Sequence, residues 1–277
     1  MTDRTLPNLL RLALVGMGLM QLSFGATVLI NPEAINSLWP WPLTTISTRL
    51  LGASTLVSVP LALGAAWFNR WSAARIPLVM MLTYRVLQIA AGLVHFGRFD
   101  ITQPTTWNYF GGGGLMLAVL AFALVRGHTL GQPADDGHTW LRGQAALVMD
   151  NIGRMAFRAI AVLFVVLGGL FFVLGENAAW LWFEAPGALT GLTARLFSSP
   201  MVGLALAAWL ISNAKQWREV GLPAAGMATF GVVGFLVLLM ENAAVQPPTP
   251  LGYLVAATPL ILLGMGGYLL WPGRARA

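Results

Sequence analysis

The chain has 277 residues, of which 57% are hydrophobic and only 9% charged. A soluble domain carries about 25% charged residues, and a chain of this length cannot hide the shortfall in a larger core, so a fully water-exposed globular fold is excluded. The absence of cysteine excludes disulfides and thiolate metal sites, and the positions of the charges assign the net charge of +6 to membrane orientation rather than nucleic-acid binding.

Eight apolar runs follow one another: Leu12–Ile30, Leu50–Phe68, Ile76–Phe96, Tyr109–Val125, Ala159–Gly175, Leu196–Ala214, Leu222–Met240 and Leu251–Leu270. Each approaches the ~20 residues that a helix needs to cross the hydrocarbon core, and a helix satisfies its own backbone there. The first run is long, and Phe24 spoils the small-residue pattern before Ala26; it reads as a retained span rather than a cleaved signal peptide. Trp39-Pro40-Trp41-Pro42 follows it and suits the membrane–water interface. Thr48-Arg49-Leu50 opens the second span, and Pro77 the third. Tyr109 and the glycines Gly111–Gly114 open the fourth. Those glycines lack the preceding strand and the Lys-Ser/Thr ending of a phosphate loop, and read as a flexible or tightly packed helix start.

A connector, residues 127–157, comes next. Gly131, Pro133 and Gly137 mark a loop. Leu141, Ala145, Val148, Ile152 and Met155 then share one helical face, with Arg142, Asp150 and Arg154 off it. That pattern fits a helix lying on the inner membrane surface, or a solvated helix packed against the bundle. Arg158 opens the fifth span, and Trp180-Leu181-Trp182-Phe183 forms a second aromatic loop. Thr193-Ala194-Arg195-Leu196 opens the sixth span, Pro223 the seventh, and Pro250 with Tyr253 the eighth. Pro60, Pro200 and Pro259 fall inside spans, where they kink helices.

The second half repeats the first. Arg11 and Arg158 stand 147 positions apart, Pro77 and Pro223 146. The expected fold is therefore all-α: a polytopic membrane bundle of eight transmembrane helices in two parallel four-helix repeats, residues 1–126 and 158–277. An even number of spans per unit relates the units by a pseudo-two-fold axis along the membrane normal. With the N-terminus inside, twelve of the sixteen Lys and Arg residues fall on the inner side. The expected location is the cell (inner) membrane, with both termini cytoplasmic.

The third span is unlike the others. Arg85, Gln88, Gly92 and His95 lie on one helical face. Arg85 falls about 12 Å into the membrane at 1.5 Å per residue, where an arginine costs at least ~2.5–3.5 kcal/mol. No span carries an acid at that depth. Gln21, Ser58 and Thr229 are neutral residues near it, and Glu241 sits at the outer end of the seventh span. Arg85 is thus compensated by neutral groups, by water in a cavity, or by an anion from outside the chain. The corresponding face of the seventh span reads Gly231, Gly234, Leu238, Glu241, a stripe for close helix packing that also leaves room. His95 and Glu241 are equivalent positions, and the pseudo-two-fold suggests that they meet. Arg49 and Arg195 are equivalent too, and snorkel outward or neutralise outer acids and head groups. The candidate ligand-binding residues are Arg85, Gln88, His95, Gln21, Ser58 and Glu241. No catalytic set, haem pair or cofactor motif is present. His128, Asp135, Asp136 and His138 lack the tight spacing of a metal site, so no cofactor and no metal is expected.

The charged starts, the Trp/Pro-rich loop and the tag Leu43-Thr44…Arg49-Leu50, echoed as Leu189-Thr190…Arg195-Leu196, resemble small four-helix bacterial membrane proteins of the DoxX type, here as a tandem. The resemblance implies a bacterial inner-membrane setting and, for some members, a place in membrane redox complexes; no site residue carries over. The first functional reading is a non-catalytic membrane protein that binds or organises membrane lipids, a membrane-protein partner or its own copies. The alternative is a transporter or binder of an anionic small molecule or lipid, with its site between the repeats near Arg85. A redox-complex subunit is the second alternative. Nucleic acid is not an expected partner.

Overall fold

A computed structural model describes residues 3–39, 41, 43–131, 146–147, 149–184, 188–271 and 275–276. It is helical almost throughout. In chain order the elements are α1 (Asn8–Ile30), α2 (Pro32–Leu38), α3 (Thr45–Leu56), α4 (Ser58–Phe68), α5 (Trp71–Val94), α6 (Pro104–Trp107) and, after a π-helical turn at Asn108–Gly112, α7 (Gly113–Leu130). The second half holds α8 (Asn151–Leu174), α9 (Gly191–Ser212), α10 (Trp217–Met240), α11 (Pro250–Ala256) and α12 (Thr258–Leu270). Among the described residues seven spans are long and apolar enough to cross a membrane, and the pair α11–α12, bent by 44°, makes an eighth if it is one span.

The helices begin earlier than the apolar runs. The second span starts at Thr45, the third at Trp71, the fifth at Asn151 and the seventh at Trp217. Their first turns carry polar and charged residues, which side chains and caps satisfy without ending the helix. Thr44, Asp150, Thr190 and Thr249 accept from the backbone N–H groups of Ser47, Gly153, Thr193 and Gly252, and each cap satisfies a donor that the helix leaves free. Pro77 and Pro223, read as span starts, lie inside α5 and α10, and two of the three prolines read as internal mark breaks. The helix is interrupted at Val57 before Pro60 and at Ala257 before Pro259, where the missing N–H leaves a carbonyl one turn earlier without its bond. Pro200 lies within an unbroken α9.

Several boundaries recur 146 positions later: Thr45 and Gly191 open α3 and α9, Trp71 and Trp217 open α5 and α10, Val94 and Met240 close them, and Pro104 and Pro250 open α6 and α11. Packing is reciprocal as well. α1 lies on α3 and α4 as α8 lies on α9, and α5 on α7 as α10 on α12. Across the halves α5 packs on α9, α10 on α3 and α4, and α5 on α10. The second and sixth spans are two-thirds buried, the fourth less than a fifth, which sets the former at the centre and the latter at the rim. The central helices are lined by alanines, among them Ala53, Ala62, Ala65, Ala205 and Ala208, and small residues let backbones approach closely.

At one end of the bundle the N-terminal segment ties several turns together. Asp3 pairs with Arg218 at 3.1 Å and accepts from Ser72 Oγ at 2.6 Å, while Arg4 donates to the carbonyl of Thr129 at 3.0 Å. Ala146–Leu147 (β1) and Ala275–Arg276 (β2) form a two-residue antiparallel ladder. The helix expected over Leu141–Met155 is not one element. Ile152 and Met155 belong to the exposed first turns of α8, behind the Asp150 cap. Leu141, Arg142, Ala145 and Val148 lie outside the described residues, as do Pro40, Pro42, Pro133, Gly137, Asp135, Asp136 and His138.

Candidate functional site

Arg85 sits in the middle of α5, and its side chain faces the first half of the chain. Its Nη1 donates to Gln88 Oε1 at 2.6 Å, one turn along the same helix, and its guanidinium lies 5.7 Å from the Tyr84 ring centre. Among the described residues no carboxylate reaches it. Instead it borders a cavity of about 530 Å³. Gln21 of α1, Thr55 of α3, Tyr84 and Gln88 of α5, and Asn108 and Tyr109 of the π turn supply the other polar walls. Phe24, Trp39, Leu51, Ile89, Met116 and Leu196 are among the apolar ones.

The walls of this cavity follow from local sequence. A π turn widens the helix by one residue per turn, so Asn108, Tyr109, Gly112 and Gly113 all border the space. Gly92 admits the neighbouring rings: a methyl there would lie 2.5 Å from Tyr109 and 3.0 Å from Phe110. Tyr109 is thereby seated to donate its hydroxyl to the carbonyl of Gln88 at 2.5 Å. Gln21, almost fully buried, has Met116 Sδ as a weak partner at 3.8 Å. The buried indole N–H of Trp39 has no partner among the described residues. At the end of the bundle where α5 stops, Trp39, Trp41, Phe99, Tyr109 and Phe110 pack ring on ring.

At the corresponding positions of the second half the helices pack closely instead, and the reason is steric. Gly231 and Gly234 occupy the positions 146 after Arg85 and Gln88. A methyl on Gly231 would lie 2.6 Å from the backbone of Leu263, and one on Gly234 3.1 Å from Pro259. The glycine stripe is therefore a packing face that brings α12 onto α10. In the first half two long polar side chains stand in its place and face the open cavity.

Of the residues singled out from the sequence, Arg85, Gln88 and Gln21 come together. Ser58 does not join them: it lines a separate void of about 20 Å³ against Gly203 and Pro200. Thr229 bonds back to the carbonyl of Ala225. His95 and Glu241 do not bond to each other either. Arg195 Nη1 lies 2.7 Å from His95 Nε2, and Arg49 ion-pairs with Glu241. A guanidinium only donates, so His95 accepts at Nε2 and is neutral. Burial, then the charges of Arg195 and Arg98, lower its pKa, with a hydrogen bond to the Gly191 backbone and then Glu176 opposing them. The outer arginines are thus not free snorkelling groups. Nor does the cavity lie between the halves as expected: Leu196 is its one named wall from the second half. Asn108, Tyr84, Thr55 and Tyr109 were not singled out as ligand residues. Tyr84 adjoins Arg85 in sequence, and the glycine run beside Tyr109 was the remaining signal.

No cluster of three or more metal-ligating side chains occurs among the described residues. The fold and the cavity define a helical protein with spans apolar enough to cross a membrane and a partly open pocket bordered by one arginine. No family model matches the chain, and no curated protein or solved structure is significantly similar to it.

Proposed function

We propose that this is a non-catalytic integral membrane protein that holds an anionic small molecule or lipid head in the first-half cavity, with Arg85 as its anchor. One observation carries the reading: a mid-span guanidinium without a carboxylate partner borders a cavity large enough for a ligand. A cation so placed is costly in a bilayer and marks a functional pathway or site as a rule. Cavities of ~300–1,000 Å³ with mostly apolar walls and a few polar groups are the usual form of a small-molecule site. Gln88 orients the guanidinium, and Gln21 offers an amide whose present partner is only a thioether.

We read the two halves as parallel four-helix units about a pseudo-two-fold axis. The recurrence of helix boundaries at 146 residues and the reciprocal packing of α5 on α9 and of α10 on α3 and α4 support this. The unit resembles the DoxX type, and the arginine-rich end faces the cytoplasm by the positive-inside rule. On this reading one unit kept a binding cavity and the other closed it with glycines.

Native mass spectrometry of the purified protein tests the function. Wild type carries a co-purified anionic adduct, and Arg85→Gln, which removes the charge but keeps a shorter hydrogen-bond donor, loses it. An adduct of equal occupancy on both proteins would remove Arg85 as the anchor.

A further inference from the structure

We propose that the occupant is a single-chain amphiphile with an anionic head, which enters sideways from the lipid between α1 and the fourth span and sets its head on Arg85. This rests on the anion-binding reading above and adds the chemical class of the ligand and its route.

The walls of the cavity argue for the tail. Its one cation is accompanied by apolar surface from Phe24, Leu51, Ile89 and Met116. A small hydrated ion would lose its water against such walls without replacement. An alkyl chain loses nothing there, because the bilayer it leaves is equally apolar. The charged head then decides occupancy. A volume of about 530 Å³ suits one chain and its head rather than a whole two-chain phospholipid.

The rim argues for the route. Met20, Ser23 and Thr27 of α1 and Asn108 of the π turn border the cavity and are all exposed. They lie on helices whose outward surfaces face lipid on the membrane reading. α1 packs chiefly on α3 and α4, and α7 chiefly on α5, so the two sides of the gap are held by different neighbours.

Thermal unfolding in a neutral maltoside detergent tests the class, with five probes: dodecanoate, dodecyl phosphate, dodecanol, acetate and inorganic phosphate. At saturation dodecanoate or dodecyl phosphate raises Tm by about 5 °C, and the stronger of the two identifies a carboxylate or a phosphate head. Dodecanol, acetate and inorganic phosphate leave Tm unchanged, and Arg85→Gln removes the shift. If acetate or phosphate matches the tailed anions, the amphiphile is overturned while the anion anchor stands. If dodecanol matches them, or nothing stabilises, both readings fall. Ser23→Trp narrows the gap from the lipid side and tests the route. In nanodiscs it slows association of a fluorescent long-chain tetraene carboxylate by about tenfold; an unchanged rate overturns lateral entry.

Discussion

Arg195 and His95 bond to each other across the two halves of the chain, with Nη1 of the arginine 2.7 Å from Nε2 of the imidazole. Their counterparts 146 positions away, Arg49 and Glu241, form an ion pair. Each contact ties the start of a second span in one half to the end of a third span in the other. One of these contacts is a salt bridge and the other an arginine–imidazole bond.

The two contacts should answer differently to substitution. Glu241→Ala leaves Arg49 partly buried, with its Nε already lacking a partner. A loss of about 1–3 kcal/mol is expected, between the values for exposed and fully buried pairs. The double variant Arg49→Ala/Glu241→Ala should cost less than the sum of the single changes. Denaturant titration in micelles measures the difference, and strict additivity would show that the pair contributes nothing.

The arginine–imidazole contact predicts a pH dependence with a definite sign. The folded pKa of His95 is lowered by burial, Arg195 and Arg98, against the opposing effects of a hydrogen bond to the Gly191 backbone and of Glu176. The unfolded chain therefore takes up the proton first. Stability is fully present above the unfolded value of about 6.5 and declines as pH falls from there toward the folded pKa. Tm should drop over that window in wild type. His95→Gln, which can still accept from Arg195 but does not titrate, should flatten the curve. His95→Glu should replace the bond with an ion pair like that of Arg49.

Arg85 sets stability against binding. If its place is functional, Arg85→Met removes an uncompensated intramembrane cation and raises the stability of the ligand-free protein, by up to ~2 kcal/mol, while abolishing ligand stabilisation. A fall in stability of similar size, measured after exhaustive delipidation, would instead make Arg85 a structural residue satisfied by Gln88.

Gly231→Ala is expected to destabilise by about 1–3 kcal/mol, because the new methyl meets the backbone of Leu263, which cannot turn away. Gly169→Ala and Gly264→Ala, also on helices but facing open space, should be neutral or gain up to ~1 kcal/mol from helix propensity. Comparable thermal losses at all three sites would show that glycine is needed for something other than close packing.

Asp3 joins the N-terminal segment to Ser72 and to Arg218, so it links the first turn of α5 with the first turn of α10. Asp3→Ala should lower stability by about 1–3 kcal/mol, the range for hydrogen bonds to a charged group. The same change in an Arg218→Ala background should cost less, as micelle denaturation can determine.

Much of the layout was legible beforehand because the bilayer dictates it. A run such as Leu196–Ala214 must be helical to satisfy its backbone in lipid, and its length follows from the thickness to be crossed. The ends were harder to read. Arg75, Arg154 and Glu219 look like stops in a hydropathy pattern, yet they lie inside helices, where long side chains reach polar surroundings without breaking the backbone ladder. Of the stripe Arg85–Gln88–Gly92–His95, the first two border the cavity with Gln21, whereas His95 lies just past the end of α5 and meets Arg195. A helical period says which residues share a face and is silent on what they meet.

The amino-acid order by itself pointed to the apolar helices, to Arg85 within the third of them, and to the spacing that sets Arg195 146 positions after Arg49 and Glu241 146 after His95. Only the tertiary structure decided that these four pair crosswise, and that Arg85 opens into the first half rather than between the halves. The physical reason is that helix neighbours are selected by close approach. Gly231 draws α12 onto α10, while the π turn and Gly92 set Tyr109 at the edge of a space beside α5. Contacts between residues so far apart along the chain leave no periodic trace in either partner.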